Sequence, residues 1–215
     1  DCHTGSLRYE HMFDQSTELA RTEAALDALL VAPPSPGSAR EASALIRSVE
    51  RCARKLRAAQ IQLQGELESS GVYAGDGHPS AKAMTRHCGR LSPSAAKSRE
   101  RGSRMVATLP DVWAALERGE LGVDQFDLLG RVHANPRVRE HMVEAQSWFL
   151  RIAGGLSFAD FEAEVRRWEQ FADEDGPEPR NSARHETRNV SLLQDKIDLG
   201  WELKGSFGDR KSTRL

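Results

Sequence analysis

The sequence predicts a mainly α-helical protein: a multi-helix bundle with one long helix, followed by the start of a β-hairpin at the C-terminal end. Three observations predict it. Apolar residues recur in steps of three and four between residues 14 and 172, the spacing that lines one face of a helix. Ser-Pro, Ser-x-x-Asp and Gly signals interrupt that pattern at short intervals, as helix starts and stops do. Beyond an acidic, Pro-containing stretch the period shortens toward the two-residue alternation of strands. The 215 residues leave room for one or two modest cores. No run approaches the roughly 20 apolar residues that cross a bilayer, so no membrane partner is expected. Three cysteines, Cys2, Cys52 and Cys88, form no CxxC. That excludes a disulfide scaffold, argues against a zinc ribbon, and points to the reducing cytoplasm.

Residues 1–11 carry no hydrophobic period and no secretory pattern. They read as a non-native or disordered start, with Met12 as a natural beginning. A helix is predicted over 14–31, with Leu19, Leu26, Leu29 and Leu30 on one side, ended by the Pro33-Pro34-Ser35-Pro36-Gly37 cluster. The long helix follows, over 38–70. Leu45, Val49, Cys52, Leu56, Ala59 and Leu63 give it a period near 3.5, the seam of a helix that pairs with another. Cys52 is expected to be a small core residue on that seam, while Arg47, Arg51, Arg54, Lys55 and Arg57 cover the other faces.

Residues 71–79 form a loop whose glycines do not follow a strand or open a GKS/T, so it is no phosphate cradle. A short helix is predicted over 80–87, ended by Gly89, and Ser92-Pro93 starts the next, running toward Thr108. Pro110 opens a short amphipathic helix closed by Gly119; Phe126, Leu129 and Val132 then share one helix face. After Asn135-Pro136 a helix carries Val138, Met142, Ala145, Phe149 and Ile152. Ser157 and Asp160 resemble a capping box before Phe161, Val165 and Trp168. The predicted domains are therefore 12–172 (helical), 173–187 (acidic linker), 188–208 (hairpin of a following part, turning around 195–198) and 209–215 (tail).

The sharpest chemical signal is electrostatic. Lys82, Arg86, Arg90, Lys97, Arg99, Arg101 and Arg104 face a single acid, Glu100, between residues 80 and 110. The net charge of −2 hides this segment, because acidic residues over 157–178 offset it. A helix, a tight Gly turn and a basic helix form the outline of a helix-turn-helix, and its cations are the candidate DNA phosphate contacts. No Asn or Gln accompanies the arginines on the second helix. Contact with the backbone therefore fits better than base reading, and a solvated helical pair in a chain with 24 Arg and 6 Lys competes with both. The seven histidines form neither HExxH nor HxH, so no metal ligand is assigned. The carboxylates Glu162, Glu164 and Glu169 through Asp175 read as an acidic surface, and Trp113, Trp148 and Trp168 as core. No catalytic residue and no cofactor is nominated.

The order of LSPSAAKSRERGSRMVATLPDVWAALERGELGVDQFDLLGRV and GLSFADFEAEV, with the RNVSLLQDKIDLGWELKGSF stretch after them, resembles the domain-of-unknown-function 222 family over residues 12–208. That family is similar to the leading region of actinobacterial HNH endonuclease-like proteins, including the 13E12 repeat type. The resemblance implies a non-catalytic helical region that associates with DNA or positions a downstream nuclease. A divalent metal is implied only for that downstream HNH part, and no His-His and Asn-His pattern follows residue 185. Ala83-Met84 departs from the family's frequent Trp-Leu pair. The closing GDRKSTRL resembles a sequencing-adaptor read-through. The alternative function is an interaction module that self-associates through the 38–70 helix without binding DNA.

Overall fold

A computed structural model describes residues 3–173 and the backbone of 189–194 and 201–206; of residues 3–15 and of both strands, only the backbone is described. Among these residues the chain is mainly helical. The helices are α1 (His3–Val31), α2 (Ala39–Ser70), α3 (Ala81–Cys88), α4 (Pro93–Val106), α5 (Pro110–Glu117), α6 (Val123–His133), α7 (Arg139–Gly155) and α8 (Phe158–Ala172), with a 3-10 turn at Val72–Asp76. Serines start three of them as the sequence signals require. The Ser80, Ser92 and Ser157 hydroxyls accept from the backbone N–H of Ala83, Ala95 and Asp160. These bonds satisfy donors that a helix start leaves without partners. No described helix is long and apolar enough to cross a membrane.

The chain divides into two units, Asp1–Cys52 and Ala53–Leu215. In the first, α1 begins at His3, well before the start expected at residue 14. Its Leu19, Leu26, Leu29 and Leu30 are exposed, and so are Ile46 and Val49 on the first half of α2.

The second unit is built around α4, which packs on α3, α5 and α6. Gly102 makes the crossing possible. A Cβ there would stand 3.0 Å from both Ile61 Cδ1 on α2 and Phe126 Cε1 on α6. Around this point Ile61, Met105, Leu109, Leu116, Leu121, Phe126, Leu128, Leu129, Met142, Phe149 and Phe161 are buried, each large side chain contributing about 1.5–3 kcal/mol. Phe149 meets Trp148 and Trp168 edge-on, with ring centroids 5.3 and 4.9 Å apart. The tryptophans pack at the core's margin, as their spacing predicts.

The rotation of α2 differs from the sequence expectation. Leu56 and Leu63 of the predicted seam are exposed, at 44% and 61%, while Ala58, Ile61 and Gln64 face the core. Cys52 is exposed rather than buried. Polar contacts set this rotation. Arg57 Nη2 donates to both Asp127 oxygens at 2.8 and 3.0 Å and to Ser98 Oγ at 3.0 Å. Arg54 Nη1 donates to the Gly119 carbonyl, and Thr85 Oγ1 to Gln64 Oε1 at 2.7 Å. Two of the arginines assigned to the faces off the seam therefore anchor the helix inward.

One acidic position also departs from expectation. Asp173 is buried, and its carboxylate accepts from Arg137 Nε and Nη2 at 2.7 and 2.6 Å. Beyond it the backbone of β1 (Asn189–Gln194) runs antiparallel to β2 (Trp201–Ser206), with Leu192 opposite Leu203. The linker from residue 174, the turn expected around 195–198 and the 209–215 tail lie outside the described residues.

Candidate nucleic-acid interface

Helices α3 and α4 are joined by four residues, 89–92. Gly89 N donates to the Thr85 carbonyl at 3.0 Å and Leu91 N to the Arg86 carbonyl at 3.0 Å, so the turn closes α3 with its own last carbonyls. A side chain at Gly89 would press its Cβ to 2.7 Å from the Thr85 carbonyl oxygen. Arg90 adopts φ 49°, the left-handed region that favours glycine, at a cost of about 1–2 kcal/mol for an L residue. Its side chain is exposed. Ser92 then caps α4, and Pro93 supplies the fixed φ of its first turn.

The seven cations of this segment divide among four surroundings. Lys82 Nζ lies 3.0 Å and Arg104 Nη2 2.9 Å from the Glu100 carboxylate. That one acid therefore draws on a cation from each helix. Arg99 is half-buried. Burial first and the neighbouring Arg57 second hold its guanidinium below the usual arginine range, against the pull of Asp127. It lies in the field of the half-buried Arg57–Asp127 pair. Arg101 lines a hollow of about 580 Å³ whose wall also holds Arg131, Asp124, Asp127 and Glu162. The carboxylates there would repel a phosphate.

Arg86, Arg90 and Lys97 remain exposed. Among the described residues no carboxylate pairs with them. Lys82, Arg86 and Lys97 line a groove of about 290 Å³ between α3 and α4, floored by Ala83, Pro93 and Ala96 and lined by no acid. Arg86 and Lys97, with Lys82 already held by Glu100, stand around small apolar side chains and make a concave, positive surface. Guanidinium and ammonium donors bind phosphate groups through charge-assisted hydrogen bonds.

The helix-turn-helix outline changes in one respect. In a reading helix one face is free to enter a groove. Here α4 is covered by α2, α3 and α6: Ala96, Gly102 and Met105 are buried, Ser98 and Arg99 half-buried. Its exposed positions before the last turn are Pro93, Ser94 and Lys97, all at its start. The cationic surface lies at the α3–α4 corner rather than along α4.

Comparison with family models, with curated proteins and with solved structures yields no match.

Sequence reading missed one grouping at this corner. His78 precedes α3 and His87 lies in its last turn, and their rings stand with Nε2 and Nδ1 3.1 Å apart. The nine-residue separation crosses the Ser80 cap, so neither helical spacing nor a short ligand motif marks the pair.

Proposed function

We propose that this chain is a non-catalytic helical region of an HNH endonuclease-like protein, associating with DNA phosphates through the α3–α4 corner and positioning a nuclease encoded downstream. One observation carries the DNA part: Arg86 and Lys97 at a groove lined by no acid, with Arg90 exposed on the adjoining turn. The nuclease part rests on the resemblance to the domain-of-unknown-function 222 family, in which the 188–208 hairpin opens the next part of the protein. Recognition on this reading is of backbone charge. It favours neither sequence nor base, and salt weakens it.

Fluorescence anisotropy of a labelled duplex across a salt series tests the proposal. Each phosphate contact contributes about 0.9 to the slope of log K against log salt. Replacing Arg86, Arg90 and Lys97 together by Ala therefore flattens the slope by about 2–3. Replacing Arg101 and Arg104 leaves it nearly unchanged, because both already face carboxylates. Binding that survives the triple replacement intact rejects the assignment.

A second reading is favoured by the exposure of Leu56 and Leu63 on α2. On that reading the stripe pairs with another copy of the chain and the cations only solvate the surface. Sedimentation separates the two readings: a dimer dissociated by Leu56→Lys supports self-association, and a monomer at all concentrations removes it.

A further inference from the structure

Three ligand-type side chains converge beside the α3–α4 corner. His78 Nε2 and His87 Nδ1 are 3.1 Å apart. Cys88, the last residue of α3, completes a group whose two ring nitrogens and sulfur all lie within 4.8 Å of one another. Two neutral imidazole nitrogens at this distance share a single proton, one ring donating and the other accepting. A metal ion suits the same geometry. Two nitrogens bound tetrahedrally at about 2.0–2.1 Å stand about 3.3 Å apart, close to the separation already present. A sulfur at about 2.3 Å would lie about 3.5 Å from each nitrogen, inside the 4.8 Å that bounds the present separations. The outer nitrogen of His78 supports the same reading. Its Nδ1 is buried without a hydrogen bond and lies 3.3 Å from Asp76 Oδ2. A carboxylate that accepts the far N–H of a ligating imidazole fixes its tautomer and raises its basicity, and Asp76 stands near enough to accept once that nitrogen carries the proton.

We infer that His78 Nε2, His87 Nδ1 and Cys88 Sγ form a three-ligand site for a zinc-class ion. Two imidazoles and a thiolate make a borderline-soft donor set that selects zinc over magnesium and calcium, which take oxygen ligands. On binding, the Cys88 thiol gives its proton to solvent. The proton between the rings moves to the far nitrogen of the ring that holds it; on His78 that is Nδ1, beside Asp76. Water takes the fourth position. No oxidation or reduction is involved. The ion ties the 71–79 loop to the end of α3 and so braces the turn that carries Arg90. Metal binding is measured without nucleic acid, so this inference and the DNA reading succeed or fail separately.

Titrating the reduced full chain with Zn²⁺ against a chromophoric chelator is expected to show one ion bound per chain, with affinity rising as pH rises because a proton is released. Co²⁺ in its place is expected to give a thiolate-to-metal charge-transfer band in the near ultraviolet. The Cys2→Ser/Cys52→Ser variant keeps that band, and Cys88→Ser abolishes it. His87→Gln weakens Zn²⁺ binding by more than the 10–100-fold that loss of an outer-sphere partner costs. Circular dichroism of each variant confirms that the helices are retained, as substitution at two exposed positions should allow. The inference is overturned if the Cys2→Ser/Cys52→Ser protein gives no charge-transfer band, or if Cys88→Ser binds Zn²⁺ as tightly as the parent.

Discussion

Asp127 is where the packing of α2 is most exposed to a single substitution. Its carboxylate receives one nitrogen of Arg57 on both oxygens, and Arg57 is 11% exposed against 26% for Asp127. Arg99 lies in the same field. At about 3 Å and an effective dielectric near 20 the gross attraction of one such pair is about 5–6 kcal/mol. Desolvation of both ions offsets much of it, and breaking a fully buried pair costs about 3–5 kcal/mol. Asp127 is partly wet, so water reaches the gap left by Asp127→Ala, and the expected loss is about 2–3 kcal/mol. Most of that loss is the cost of a stranded Arg57 beside Arg99. Adding Arg57→Met should therefore return about 1 kcal/mol or more, making the double variant more stable than Asp127→Ala alone. Urea unfolding followed by far-ultraviolet circular dichroism measures all four proteins of the cycle. If the double variant is no more stable than Asp127→Ala, stranded charge is not the cause and the account of α2's rotation fails.

Three further outcomes are expected. Gly102→Val should destabilise by about 1–3 kcal/mol through overpacking against Ile61 and Phe126, while Gly75→Ala, with nothing near its Cβ, should stay within about 0.5 kcal/mol in the same urea assay. Thr85→Val removes the donor to the buried Gln64 oxygen and should cost about 1–3 kcal/mol, read as a lowered thermal midpoint. His133 is buried with Nε2 unpartnered, and burial first and Arg139 second hold its pKa below the ordinary 6.5. Its folded pKa being the lower one, the unfolded chain takes up the proton first as pH falls. Stability is full above the ordinary value and falls as pH drops through it toward the depressed folded pKa; in His133→Leu that part of the slope between pH 7.5 and 5.5 should vanish.

Helix positions were legible wherever apolar period and capping chemistry agreed. Ser92-Pro93 and Ser157 mark starts that the hydrogen bonds confirm, and Phe126, Leu129, Met142, Phe149, Phe161 and Val165 sit on predicted inner faces and are buried. The rotation of α2 was not legible. Its leucines trace a clear stripe, but its inward face is Ala58, Ile61 and Gln64 flanked by two arginines, a face that reads as polar. Only partners far along the chain, Asp127, Gly119 and Thr85, give those polar groups a reason to turn inward. The cationic segment was legible as charge, but its division was not. Whether an arginine meets solvent, Glu100 or Asp127 depends on which helix covers α4. The His78–His87 contact is of the same kind, created by how a loop folds back on a helix end.

The central position of α4 also sets the order in which backbone amides meet solvent. An element held on several sides opens only when the whole unit opens, so its amide hydrogens should exchange at the global rate, while loop 71–79 exchanges through cheaper local openings. Lys97 stands on that slowest element. On the proposed reading, a phosphate ligand gripping it would stabilise the folded unit by RT ln(1 + [L]/Kd), about 2.7 kcal/mol at a hundredfold excess over Kd. The most protected amides of α4 would then slow by about a hundredfold, so hydrogen exchange in the middle of the bundle reports what binds at its corner.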